Sequence, residues 1–249
     1  MTPGTVLVTG GAKRLGAAIV RQLAAGGWRV VIHHHSSAED AAALATEVGA
    51  AGTVGGDLTD LDALDDLWAR ACAVAGGPID GLVNSASQFA YDRPEAIDHA
   101  LSARLYAVNC IAPCLLAAAL ARQGRTGAVV NLLDQKLANP NPDFFSYTLS
   151  KTALAGATVL MAQGFAPQVR VNAVAPGLTL PSADQSEAEF DAVAGANLLQ
   201  HPVGAVRVAE AVLYLLGAQS VTGQTLFVDA GQRFVKRDGD VMFEGRQRG

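Results

Sequence analysis

Tyr147 and Lys151 are the pair in this sequence whose types and spacing could do chemistry together. Four residues apart on a helix, they project from one face. A phenol with an ordinary pKa of about 10 is a poor proton donor to a ketone and a poor base at neutral pH. A nearby ammonium favours the phenolate and is expected to bring the hydroxyl toward its working range. A second feature is the turn Thr9-Gly10-Gly11-Ala12-Lys13-Arg14-Leu15-Gly16. Glycines there let the backbone turn tightly and approach a pyrophosphate, and the helix that follows offers free amides and the positive end of its dipole.

What the second strand carries at its end bears on which dinucleotide fits. The run is Ile32-His33-His34-His35-Ser36-Ser37, with no acidic residue until Glu39. An acidic side chain at that place binds the ribose hydroxyls of NAD. His33, His35, Ser36 and Ser37, with Arg14 nearby, suit a 2′-phosphate instead, so NADPH/NADP+ is the expected cofactor. Adjacent strand residues point to opposite faces, so three consecutive histidines converge poorly on one ion, and no metal site is expected. Asp57, after the third strand, either reads an adenine edge or caps the following helix. Asn84-Ser85-Ala86-Ser87 ends the fourth strand with small polar residues, as a wall beside a cofactor ring needs.

These residues fall at the ends of elements that alternate. Strands are expected at 5–9, 29–33, 52–56, 80–83, 127–133, 168–173 and 225–229. Helices are expected at 14–25, 38–48, 61–75, 98–122, 146–164 and 206–216, from apolar positions at helical spacing such as Leu15, Ile19 and Leu23. Short, wholly apolar strands alternating with helices predict an α/β fold with a parallel sheet buried on both faces. Right-handed crossovers place the ligand crevice at the carboxyl ends of its strands. Residues 1–231 read as one domain. The polar connection 178–200 has the length of a substrate-covering lid with a short helix. The basic tail 232–249 reads as flexible or as docked on a neighbouring subunit.

Composition sets the limits. The chain has 249 residues, half of them hydrophobic, and a net charge of −5. That argues against disorder and against a nucleic-acid partner held by a basic face. Cys72, Cys110 and Cys114 are too few for a disulfide framework and read as buried free thiols. No leader-like segment opens the sequence, and the apolar stretch 107–121 is interrupted by Asn109 and Pro113. A cytoplasmic protein without a membrane partner is the expectation.

Taken together, the motifs resemble the short-chain dehydrogenase/reductase family over about residues 5–232. They are the Thr-Gly turn at 9–16, Asn84-x-Ala86, Asn109, Tyr147-x-x-x-Lys151, Arg170-Val171-Asn172, Pro176-Gly177 and Thr222-Gly223-Gln224. The resemblance implies a single-domain Rossmann fold, a doubly wound seven-stranded parallel sheet, and NAD(P)-linked hydride transfer. It implies Tyr147 as proton donor, Lys151 holding the ribose, and Asn109 supporting a relay water. Cofactor contacts are expected from Gly10, Lys13, Arg14, Leu15, Gly16, His33, His35, Ser36, Ser37, Asp57, Leu58, Asn84, Ala86, Ser87, Tyr147, Lys151, Pro176 and Gly177. A homotetramer or homodimer is also implied.

Two departures narrow the resemblance. Arg14 stands where the family usually has Gly, and Asp134 stands thirteen residues before the tyrosine, where it usually has Ser. Both resemble the pteridine reductases, as do the segments 33–37 and 84–89. That subgroup implies Phe89 stacking on a pterin, Ser87 bonding both ligands, and Arg14 reaching phosphate and substrate. Arg14, Ser87, Phe89, Asp134, Tyr147 and Leu178 are thus the expected substrate contacts. A physical reason supports Asp134: a pterin ring nitrogen must be protonated as hydride adds to the adjacent carbon, and a carboxyl beside Tyr147 can relay that proton. Asp134 is accordingly placed with Tyr147, Lys151 and Asn109 as catalytic. The expected activity is NADPH-dependent reduction of a C=N bond in a pterin or dihydrofolate. The alternatives are a general carbonyl or 3-oxoacyl reductase and a non-catalytic NADP-binding regulator.

Overall fold

The computed structural model describes residues 3–181 and 186–240. Seven parallel strands form one sheet: β1 (Thr5–Thr9), β2 (Arg29–His34), β3 (Gly52–Gly55), β4 (Gly81–Asn84), β5 (Gly127–Leu132), β6 (Val169–Pro176) and β7 (Thr225–Val228). Their order is β3-β2-β1-β4-β5-β6-β7. The order reverses between β1 and β4, and a crevice opens there at the strands' carboxyl ends. Strand alternation splits the core in two. Val6, Val8, Val30 and Val130 face α1 (Arg14–Ala25), α2 (Ala38–Val48) and α8 (Ala205–Gly217). Leu7, Val31, Leu82 and Val129 face α3 (Leu64–Ala75), α5 (Ala112–Arg122) and α6 (Phe145–Gly164). A sheet buried on both faces explains why its strands read as continuous apolar runs.

The doubly wound architecture expected from the sequence is the one observed, with shifted boundaries. β6 runs three residues past its expected end, to Pro176, and carries the chain to the crevice. Among its described residues the expected lid contains one short helix, α7 (Glu187–Ala194), opened by Ser186 in a reciprocal capping box with Glu189.

The expected helix 98–122 is α4 (His99–Tyr106) and α5 joined through a π-helical segment, Ala107–Ile111. Joined in this way it spans 24 residues and is long and apolar enough to cross a membrane, which corrects the shorter reading of 107–121. Leu105, Leu116 and Leu120 are instead buried in the core of this domain. The π segment holds Asn109, and such segments occur often at functional sites.

Two motif side chains serve the scaffold. The Arg170 guanidinium donates to the carbonyls of Leu215 and Leu216 and so closes the end of α8. Asn172 donates to the Val221 carbonyl and accepts from the Gln224 N–H, tying β6 to the turn before β7.

As far as residue 240, the segment after residue 231 makes contacts with its own domain. A short 3₁₀ turn, Gln232–Phe234, buries Gln232. The Asn139 amide donates to the Val235 carbonyl, and Arg237 donates to the Ala196 carbonyl. Residues 241–249 lie outside the described residues.

Candidate active site

Two adjoining cavities of about 480 and 310 Å³ occupy the crevice and share Arg14, Leu15, Ser85 and Ser87. The larger follows the glycine turn and is lined by Gly10, Lys13, Gly16, His33, His35, Asp57, Leu58, Ala86 and Val108 as well. Gly10 has φ +61°, and a Cβ there would lie 2.9 Å from the Ala86 Cα. A Cβ on Gly16 would lie 2.1 Å from the Gly10 carbonyl oxygen, so the start of α1 rests directly on the turn. Lys13, at the N-cap of α1, makes no side-chain capping bond, and the first turn carries no acidic residue. The amides at that end are therefore suited to an anion. Arg14 also has positive φ, +53°, where a side chain is strained, and its guanidinium reaches across the crevice to the Pro181 carbonyl.

His33 is fully committed to holding this turn. Its Nδ1 accepts from the Gly10 N–H at 3.1 Å and its Nε2 lies 3.2 Å from the Gly56 carbonyl. The pair of bonds fits only the neutral Nε2–H tautomer. Burial, first, holds the ring pKa down at about 4. Protonation thus favours the unfolded chain between pH 6.5 and 4, and stability falls as pH drops through that window. The expected loss is up to about 3 kcal/mol. Urea unfolding at pH 7 and pH 4.5 checks it: His33→Asn should lower stability at pH 7 and flatten the acid limb.

The structure separates other expected cofactor residues. Asp57 is exposed at the cavity edge, where Oδ1 accepts from the Thr59 N–H. The helical turn that follows is capped by Asp60 instead. Ser36 and Ser37 lie outside the lining residues. Asn84 is a correction: its amide donates to Asn131 Oδ1 at 2.8 Å and to the Pro113 carbonyl, and it is buried. As the last residue of β4 it points into the helical layer by the period of the strand, so its side chain lines neither cavity. Ser85 and Ala86 form the wall instead, their N–H groups both bonded to Thr9 Oγ1.

The smaller cavity brings together Asp134, Tyr147 and Lys151, three of the expected catalytic residues. Its walls include Ser87, Phe89, Leu133, Asp134, Tyr147, Lys151, Pro176, Gly177 and Leu178. Tyr147 and Lys151 lie on the first turns of α6. Asp92 fixes that end of the helix: its carboxylate accepts from the Ser146 N–H and hydroxyl, and its carbonyl from the Phe145 N–H. Nothing local in the sequence marks Asp92, which lies more than 50 residues away. Tyr147 Oη donates to Asp134 Oδ2 at 2.9 Å, and Asp134 Oδ1 accepts from the Lys136 N–H at 2.8 Å. Asp134 therefore caps a loop with one oxygen and meets the tyrosine with the other. Lys151 Nζ donates to the Leu132 carbonyl at 2.8 Å and lies 5.8 Å from the Tyr147 ring centre.

The electrostatics reverse one expectation. Burial first, then the Asp134 carboxylate, push the Tyr147 hydroxyl above its ordinary range rather than below it. Burial also raises Asp134 and lowers Lys151 to about 8. A tyrosine that donates to a carboxylate keeps its proton, whereas the expected ammonium effect needs the lysine nearer the oxygen.

Asn109 is completely buried and clamps the loop after β4. Its Oδ1 accepts from Ser87 Oγ and the Gln88 N–H, and its Nδ2 donates to the Gln88 carbonyl and Ser150 Oγ. That loop presents Phe89, 46% exposed, with its ring stacked on Phe144 at 4.1 Å and edge-on to Tyr147 at 4.8 Å. Gln135, Lys136, Gln232 and Asp240 also line the smaller cavity and are not among the expected site residues. The two from the C-terminal segment reach it only through tertiary folding.

Comparison with known proteins agrees with this geometry. The family model described as enoyl-(acyl carrier protein) reductase matches residues 10–233. Pteridine reductase 1 of Leishmania tarentolae is 33% identical, with 92% of this chain and 96% of that protein covered. L-xylulose reductase of Bos taurus is 34% identical, with 90% and 94% covered. The crystal structure of the alternative dihydrofolate reductase 1, FolM, of Brucella canis complexed with NADP superposes with a TM-score of 0.90 at 40% identity, covering 95% of this chain and 96% of that one.

Proposed function

This chain belongs to the short-chain dehydrogenase/reductase family, and on that premise we propose that it reduces a C=N bond of a pterin or dihydrofolate with NADPH. The coarser activity is NADP(H)-linked reduction of a small carbonyl or imine. The finer reading is carried by one observation: a carboxyl, Asp134, accepts the hydrogen bond of Tyr147. A ketone acquires one proton on oxygen and needs only a neutral polarising donor. A pterin acquires its proton on a ring nitrogen that neighbours further N–H and amino groups, and a carboxyl can bind those and pass a proton.

NADPH, when bound, supplies the hydride. The NADP-bound Brucella canis structure supports the choice of dinucleotide. So does the larger cavity, in which Lys13, Arg14 and His35 stand where a phosphate-bearing ribose needs positive or hydrogen-bonding groups. Gly10, Leu15 and Gly16 would hold the pyrophosphate side, Asp57 and Leu58 the adenine, and Lys151 the other ribose. Pro176 and Gly177 would flank the reacting ring. Phe89 offers the substrate a flat face opposite that ring, and Tyr147 holds a proton at its edge with Asp134 behind it.

The test is loss of NADPH absorbance with 6-substituted dihydropterins, dihydrofolate and a panel of ketones. Turnover of a dihydropterin is expected. Phe89→Ala should raise its KM about tenfold through the lost ring contact. Turnover confined to ketones would overturn the pterin reading in favour of a carbonyl reductase, a reading that the likeness to L-xylulose reductase supports.

A further inference from the structure

The far wall of the smaller cavity contains an ion pair for which neither hydride transfer nor proton delivery has a use. Lys136 is 3% exposed, lines the cavity, and holds Asp240 Oδ2 at 3.1 Å. Its ammonium also donates to the Asp143 carbonyl and lies 5.3 Å from the Phe144 ring centre. The Asp240 N–H donates to Asp143 Oδ2 at 2.9 Å, which fixes the C-terminal segment at this point. Beside the pair, Gln135 Oε1 is a buried acceptor with no hydrogen-bond partner among the described residues, and Gln135 lines the same cavity.

Stability is a poor reason for this arrangement. A buried ion pair commonly gains little over apolar side chains of the same volume, because desolvation offsets the attraction. A buried acceptor left unpaired costs about 1–3 kcal/mol. Both become intelligible when a ligand completes them. Each cation here already faces carboxylates: Lys136 holds Asp240, and Arg93 lies 2.8 Å from Asp143 Oδ1 and 2.7 Å from Glu95 Oε1. The wall therefore offers no uncommitted cation to an anion, while it offers neutral hydroxyl groups both donors and acceptors.

We infer that Asp240, held by Lys136, and the neighbouring Gln135 form a specificity subsite for hydroxyl groups on the substituent of the substrate. The inference rests on the reading that the cavity beside Tyr147 takes the substrate, whether its reacting bond is C=N or C=O. The subsite also joins the reactive groups, because the Lys136 N–H is the donor to Asp134.

Matched substrates test it. One pair is 6-(trihydroxypropyl)-7,8-dihydropterin against its 6-methyl analogue; the other is a ketopentose against 2-pentanone. In the unmodified protein the hydroxylated member should have the higher kcat/KM by about tenfold or more. In Asp240→Asn and in Gln135→Leu that ratio should collapse toward one, through KM. Both members are assayed on the same variant, so a partial folding defect scales the two rates alike and leaves the ratio in place. If only the ketone pair is turned over, the pterin reading fails and the subsite is judged on that pair. No preference in the unmodified protein, or an unchanged ratio in both variants, overturns the inference.

Discussion

Tyr147→Phe should lower kcat by about two to four orders of magnitude while leaving the affinity for NADPH nearly unchanged. The substitution removes one oxygen and nothing else. The ring stays packed against Phe89, Leu105 and Phe144, so the wall of the cavity keeps its shape. Lys151 keeps its bond to the Leu132 carbonyl, and Asp134 keeps the Lys136 N–H. What disappears is the proton at the point nearest the reacting bond. Because the loss falls on the transition state, it should appear in kcat and kcat/KM together, with NADPH affinity read separately by fluorescence titration. Equal activity in the variant would remove Tyr147 from the mechanism and leave Asp134 to deliver the proton unaided.

The alternation of strands and helices was readable because both faces of the sheet are buried, which writes apolar runs such as Val30-Val31-Ile32 into the sequence. Several residues that line the two cavities were readable for a related reason. Gly10, Arg14, Asp134 and Tyr147 sit where a strand meets a helix or loop, at places that the alternation itself marks. What could not be read depends on groups far apart in the chain. The direction of the Asn84 amide follows from the exact end of β4, one residue beyond the expected limit. The role of Asn109 as a clamp on Ser87 and Gln88 needs the π-helical segment, which no local pattern announces. Asp240 reaches Lys136 across about a hundred residues, and only the packed domain supplies that contact. The direction of the Tyr147 shift was misread because spacing places Lys151 on the right face without saying that its ammonium is spent on Leu132.

Asp134→Asn should separate proton delivery from binding. The amide is close to isosteric: its oxygen can still accept from the Lys136 N–H, while its NH2 takes the place of the oxygen that faces Tyr147 Oη and can donate to it. It cannot release a proton to the tyrosine or take one up. Pterin turnover should therefore fall about a hundredfold, at the lower end of what general acid catalysis contributes. Reduction of a ketone, where one neutral donor suffices, should fall much less. The pH profile gives the sharper readout. Burial raises the pKa of Asp134, so activity that needs its protonated form declines as pH rises through that pKa. In Asp134→Asn this limb should vanish from kcat. Stability should move the other way. A carboxyl whose pKa is higher in the folded protein than in the unfolded chain stabilises the fold below the unfolded value, and that contribution is lost as pH rises through the folded one. At neutral pH the ionised group is a cost, and the neutral amide removes it. The variant should therefore melt above the unmodified protein at pH 7 and lose that advantage below about pH 4. A variant slower on pterins yet more stable at neutral pH is the pattern of a group kept for its chemistry against the preference of the fold. Equal losses on pterin and ketone, with the pH limb intact, would return Asp134 to the role of a loop cap.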